Sequence, residues 1–430
     1  TAVGYEALKV NTTGDLNVAI GMSALASNTV GDRAVAIGAN ALKSQAPTSN
    51  TDTNNVAVGL NSQFNTTTGI NNTAVGRKTL EQNTSGSSNS AFGVDCLANN
   101  TTGSNNSAFG YETLEYATTV SGNSAFGYRA LRQNTSGASN VAVGANALEA
   151  NTTATNNTAV GFSALTTNTT GETNTAVGMQ AMLDNTTGIG NTAVGVNSLY
   201  SNTEGDGNTA LGKKALDSNT TANHNTAVGF EVLSANTTGF ENTAVGKNAL
   251  DAATTGSKNA AVGTASLGSC TTGTDNTAIG PASGLKVTTG DNNLLLGHNA
   301  GRTTSPFEVT TQDNRIVLGD NDITNAYIKV AFTVTSDERD KTDIQDITTG
   351  LDFVNKLKPK SFWFRKNRES DEKHGQQRYG FIAQDILALE GNNPIIIDNE
   401  QEDHLKYKGE HLIPILVKAI QELTMEVNKL

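Results

Sequence analysis

Small apolar residues and glycine return along most of this chain at one fixed interval. A run such as Thr158-Ala159-Val160 alternates in the manner of a strand and is closed by glycine. That glycine falls at Gly4, Gly21 and Gly38, resumes at Gly59, and recurs to Gly297 at a spacing of 17 residues. The single longer step, of 21, holds a four-residue insertion between Ser44 and Thr53. Eighteen copies follow a consensus close to N-T-A-V-G-x-x-A-L-x-x-N-T-T-G-x-x. Val75, Phe109 and Ile279 supply a larger apolar group before the glycine, and pairs such as Ala147-Leu148 and Ala249-Leu250 a second apolar plug. The Asn-Thr-Thr-Gly segment is turn chemistry, since Asn tolerates unusual backbone angles and Gly takes positive φ.

One such unit holds too few apolar groups to fold alone. Stacked copies bury them against their equivalents above and below, with Asn and Thr aligned in ladders, which predicts a β-solenoid. At one coil per repeat and a rise of about 4.8 Å, eighteen coils span roughly 85 Å. Whether the Ala-Leu part is a second strand or a short helical turn is left open by the pattern.

The period breaks after Gly301. Ile316-Val317-Leu318 and Tyr327, Ile328, Val330, Phe332 and Val334 predict short strands. Charged residues then crowd in, with the only tryptophan, Trp363, and helical spacing. The chain therefore divides into a repeat region (1–304), a β-rich connector (305–335) and a terminal domain (336–430) ending in a helix over 411–430. In that helix Ile413, Leu416, Ile420, Leu423, Val427 and Leu430 fall at spacings of three and four, the seam of a coiled coil or of an amphipathic helix packed on its own domain.

Composition narrows the function. The chain has 43 Gly, 6 Pro, 5% aromatic and 16% charged residues, too little bulk for an ordinary enzyme core of 430 residues. A net charge of -12, spread along the chain, argues against a polyanionic nucleic-acid partner, and no apolar run is long enough for membrane insertion. Cys96 and Cys270 lie about ten coils apart, roughly 50 Å, and are expected as reduced small residues. No Gly-rich turn has phosphate-loop spacing, His224 and His298 stand without partners at ligand spacing, and no cofactor or metal is expected. The opening Thr1-Ala2-Val3-Gly4 lies inside a repeat, so a longer parent chain is expected.

Two resemblances sharpen this. The repeats resemble the β-roll heads of trimeric autotransporter adhesins, whose similar repeats are shorter; that implies a trimer of side-by-side chains, with an intertwined triple β-helix as the rival. Ser336-Asp337-Glu338-Arg339-Asp340-Lys341, Leu357-Lys358-Pro359, Phe362-Trp363-Phe364, Tyr379-Gly380-Phe381-Ile382-Ala383-Gln384-Asp385 and the closing helix resemble the intramolecular chaperone domain of phage endosialidases and tail fibres, an auto-processing peptidase family. The resemblance implies a mainly β, elongated trimer followed by a small α+β chaperone domain that templates the rod. It also implies self-cleavage at Thr335–Ser336, with Ser336 as nucleophile and Lys341 as general base, and assigns the chaperone motif to Asp337, Arg339, Gly380, Phe381, Ala383 and Gln384. Asp337, Glu338 and Asp340 flank that dyad and oppose a lowered lysine pKa. Without the resemblance, Ser336 reads as a helix cap and Lys341 as the partner of a nearby acid.

The expected function is a receptor-binding phage tail fibre, in the virion after assembly in the host cytoplasm. Its expected partners are two further copies, other tail proteins, and a host-surface glycan or protein; Tyr111, Tyr128, Phe162 and Phe230 are candidate contacts. The alternatives are the non-catalytic part of a tailspike glycan hydrolase and a bacterial trimeric surface adhesin.

Overall fold

A computed structural model describes residues 1–329, 334–366 and 368–429, in two compact units. Thr1–Arg302 with Val309–Leu318 form the first unit; Thr303–Glu308 with Gly319–Leu430 form the second. Among the described residues no helix is long and apolar enough to cross a membrane.

The first unit is a β-solenoid with one short strand per coil, joined near the insertion by a second parallel pair of Gly31–Asp32 with Thr51–Asp52. Its main sheet has nineteen parallel strands, from Ala2–Val3 to Ile316–Leu318. Register is the repeat itself: Thr158 pairs with Thr175, Ala159 with Ala176, Val160 with Val177. Each coil pairs with the next coil of the same chain, which is the solenoid arrangement; an intertwined helix would interleave coils of three chains. The last strand lies in the segment expected as a connector. It is the nineteenth rung, reached after a step of 22 residues, because Ile316-Val317-Leu318 meets Leu294-Leu295-Leu296 as any repeat would. Tyr327, Ile328 and Val334 are not in strands, and Val330 and Phe332 fall outside the described residues.

The interior is built from the small residues. The central alanine of most strands (Ala159, Ala176, Ala193) and the Ala-Leu pair (Ala164, Leu165) are fully buried, and Leu295 and Val317 take the alanine's place in the last two rungs. The larger strand residue was expected as an apolar plug, but it points outward: Val143 is 39% and Ile279 48% exposed. Most coils leave room beneath the strand for a methyl group only; Leu295 fits because Gly284 and Gly301 stand where other coils carry the leucine.

Glycine after the strand is obligatory. Gly161 sits at φ +141, and a Cβ there would lie 2.4 Å from the carbonyl oxygen of Gly178 in the next coil. The Ala-Leu segment is neither strand nor helix. Ser163 and Leu165 both adopt left-handed angles (φ 53 and 51), a state costing an L-residue about 1 kcal/mol. What offsets this is pairing to both neighbours: Ser163 N–H donates to Ala145 O at 2.9 Å, and Leu165 N–H to Ala181 O at 3.0 Å. The left-handed residues of the turn thus pair along the stack, while Ala164 and Asn168 donate within the coil to Gly161 O and Leu165 O.

Two buried asparagine ladders run along the unit, the first unbroken from Asn55 to Asn293 and the second, with interruptions, from Asn28 to Asn236. In the first, the Asn157 amide N–H donates to Asn140 Oδ1 at 2.9 Å, and Asn157 Nδ2 to Gly171 O at 2.9 Å. In the second, Asn168 Nδ2 donates to Asn151 Oδ1 at 3.1 Å and to the same Gly171 carbonyl at 2.9 Å. A threonine ladder flanks them, as where Thr169 Oγ1 donates to Thr186 O at 3.1 Å. The second ladder breaks where alanine replaces asparagine. Asn100 Oδ1 and Asn236 Oδ1 are buried without a partner because Ala117 and Ala253 stand where the next donor belongs.

The second unit holds helices α1 (Leu351–Val354), α2 (Ala383–Glu390) and α3 (Leu412–Val427), and an antiparallel hairpin of Lys360–Arg365 with Lys373–Gly380. Its core is Ile386, Ile396, Ile397 and Leu412, with Phe353, Phe381, Leu387 and Ile415 packed against them. Helix α3 is shorter than expected: His411 is its N-cap, Asn428 its C-cap, and Leu430 lies outside the described residues.

Candidate functional site: a serine–lysine pair in the second unit

Asp337 caps a short 3₁₀ turn over Glu338–Asp340, its Oδ1 accepting from the Arg339 amide at 2.9 Å. The cap is therefore Asp337 and not Ser336. The turn brings the two ends of Ser336-Asp337-Glu338-Arg339-Asp340-Lys341 together. Lys341 Nζ donates to Ser336 Oγ at 2.8 Å and to Ser336 O at 3.0 Å. Thr335, Ser336 and Lys341 are all exposed in the single chain.

The flanking acids are not equivalent. Arg339 grips Asp337 with two further bonds, Nε to Oδ1 at 3.0 Å and Nη2 to Oδ2 at 2.6 Å. That guanidinium holds the Asp337 carboxyl below its usual range and occupies both its oxygens. The acid next to Ser336 is thus matched locally by a cation.

The other motif residues shape the domain. Gly380 ends the hairpin opposite Lys360, and a Cβ there would lie 3.1 Å from the Phe362 ring. Phe381 packs on the core and meets Tyr407 with ring centroids 5.8 Å apart. Ala383 opens α2 against the same core, whereas Gln384 is exposed. Sequence reasoning missed two carboxylates that organise this unit. Glu390 accepts the amides of Ile395, Ile396 and Ile397 at 2.8, 2.7 and 3.0 Å, and Glu422 accepts the Leu351 amide at 2.7 Å, anchoring α1 on α3. Only their pairing partners, far off in sequence for Glu422, reveal these roles.

Helix α3 carries two apolar faces. Leu412 and Ala419 are buried, and Ile415 packs on the core of this unit. Ile413, Leu416, Ile420, Leu423 and Val427 are 38–63% exposed and recur at three and four residues. The residues of the seam read from the sequence are thus exposed on this chain, while Leu412 and Ile415 pack on its own domain. In the first unit, Tyr111 and Tyr128 stack at 5.6 Å and, like Phe162 and Phe230, are exposed just after the strand-ending glycine.

Residues 336–391 match the family model described as chaperone of endosialidase, and the match begins at Ser336 itself. The second unit therefore carries an endosialidase-type chaperone domain, set after a β-solenoid of 17-residue repeats. No curated protein matches the chain.

Proposed function

We propose that this chain is the distal part of a homotrimeric phage tail fibre whose terminal domain drives assembly and then cuts itself off before Ser336. The observation that carries the reading is the 2.8 Å contact between Ser336 Oγ and Lys341 Nζ at the first residue of the family match. The exposed seam of α3 supplies the face on which three helices pack.

Cleavage runs through an acyl shift. Neutral Lys341 takes the Ser336 hydroxyl proton while Oγ attacks the Thr335 carbonyl carbon. The C–N bond of that peptide breaks as the proton passes to the leaving Ser336 nitrogen, giving an ester between Thr335 and Ser336 Oγ. Water hydrolyses the ester, leaving the Thr335 carboxylate and a free Ser336 amine. An ammonium can only donate to Oγ, so the base must lose its proton, and removal from water is the means. Burial between assembled chains provides it. The solenoid then serves as the shaft, binding a surface glycan or protein of the host through side chains at its variable positions, the exposed aromatics among them.

Denaturing electrophoresis and light scattering test this on freshly expressed chain. Wild type yields a fragment ending at Thr335 and a small C-terminal piece, Ser336→Ala keeps the 44.6 kDa chain whole, and both give the mass of three copies before denaturation. An uncut wild-type trimer refutes the cleavage step; a monomeric Ser336→Ala chain refutes the assembly reading.

A further inference from the structure

The outward side of the solenoid sheet is more apolar than its strand conformation requires. The residue before each strand-ending glycine is Val, Ile, Leu or Phe in all nineteen rungs, from Val3 to Leu318. Strand propensity does not explain this. Threonine has the shape of valine and fits a strand equally well. It occupies the first strand position in many rungs (Thr158, Thr175, Thr192), yet never the third. Neither outward position carries a charge in any rung. Phe92, Phe109 and Phe126 stack within this row, with centroids 4.7 and 4.9 Å apart, so the row keeps the pitch of the coils.

The resulting stripe is about 86 Å long at a rise of about 4.8 Å per rung. With roughly 50 Å² exposed per rung, it totals on the order of 900 Å², beyond the largest apolar patch of most monomers and near what each partner contributes to a stable interface. An occupant must present apolar groups at this same rise over this same length. A second copy of this chain does so by construction. Rows of identical pitch interdigitate rung for rung, and the absence of charge on the outward positions removes the like-charge repulsion that an acidic chain otherwise meets on self-association.

We infer that this outward valine row is the seam along which copies of the chain pack against one another. The inference rests on the trimer reading and adds the face by which the shafts meet, independently of α3.

The test uses the full chain with Ser336→Ala, which keeps the terminal domain attached, and compares two single cysteine variants of one coil. Val143→Cys lies in the row and Thr153→Cys in the exposed turn of that coil. The native Cys96 and Cys270 are buried and stay silent. Maleimide labelling is followed by mass spectrometry, and disulfide cross-linking under mild oxidation by electrophoresis. The expected result is that Val143→Cys labels at least tenfold more slowly than Thr153→Cys and alone cross-links copies. Multimeric protein in which both label alike overturns the seam and leaves the trimer intact. Slow labelling without cross-links in a monomer also overturns it, and light scattering showing a monomer removes the trimer reading as well. If Val143→Cys disturbs folding, Leu211→Cys, 47% exposed in the same row, repeats the measurement.

Discussion

The asparagine ladders should be worth measurable free energy, and their breaks allow the value to be separated from mere packing. Asn106 is a fully buried member of the first ladder. Its Oδ1 accepts from the Asn123 amide at 3.1 Å, and its Nδ2 donates to Val120 O at 2.8 Å. Asn174 has the same role, but its target, Gly188 O, also accepts from Asn185 Nδ2 at 3.2 Å. No second donor reaches Val120 O from the second ladder, because Ala117 interrupts it there. Asn106→Ala therefore orphans a buried N–H and a buried carbonyl, whereas Asn174→Ala orphans only an N–H. With each buried orphan costing about 1–3 kcal/mol, the first substitution should cost about 3 kcal/mol and the second about 2 kcal/mol. Adding Ala117→Asn to Asn106→Ala should recover about 1 kcal/mol, since the new amide can reach both Val120 O and the unpartnered Asn100 Oδ1. The native cysteines report the result. Burial pushes the Cys96 thiol up to about 12 and Cys270 up to about 11, so at pH 8 either reacts only when its coil opens. Cys96 Sγ bonds Ala108 O, two residues from Asn106. Its labelling should accelerate roughly 150-fold in Asn106→Ala, while Cys270, about ten coils away, stays within about threefold. Equal costs at Asn106 and Asn174, with no recovery from Ala117→Asn, would show that the ladders merely fill space.

Two further outcomes follow from local geometry. Gly161→Ala places a methyl group 2.4 Å from Gly178 O at a φ that L-residues avoid; a loss of about 3 kcal/mol or more is expected in denaturant melts followed by far-ultraviolet circular dichroism, and a neutral result would mean that the coil can widen. Asp337, held below the ordinary carboxylate range by Arg339, stabilises the 3₁₀ turn above its unfolded value of about 3.9 and loses that contribution as pH falls through its lowered folded value. Carboxyl titration by nuclear magnetic resonance should show this, and Arg339→Gln should return Asp337 to its ordinary range; no change would mean that the pairing is absent in solution.

Much of the solenoid was legible because repetition multiplies a weak local signal. The period, the Ala-Leu plug, the ladders and the separation of the cysteines all came from residue spacing. The direction of the valine did not. Strand alternation says that Ala159 and Val160 face opposite ways without saying which is inside, and the ordinary preference for burying the larger side chain points the wrong way in so narrow a coil. Leucine at a left-handed angle was equally hidden, since Leu165 has no intrinsic preference for it and adopts it only because Ala181 O lies within reach in the next coil. The nineteenth rung was obscured by its longer connection, which broke the period although Ile316-Val317-Leu318 kept the pattern.

The site was legible only through resemblance, and the geometry explains why. A serine and a lysine five residues apart are commonplace, and here a single capped turn, from Ser336 to Lys341, suffices to bring Oγ to Nζ. The contact is thus written into six residues and needs no distant part of the chain. What those six residues do not supply is dryness: both partners stand in water, where the lysine serves as donor. On the proposed reading, a pair so built forms early and stays idle until something covers it. On that reading the covering surface is made by assembly itself, so cleavage follows trimer formation without a separate sensor, and the same exposure that silences the dyad in one chain becomes the device that times it.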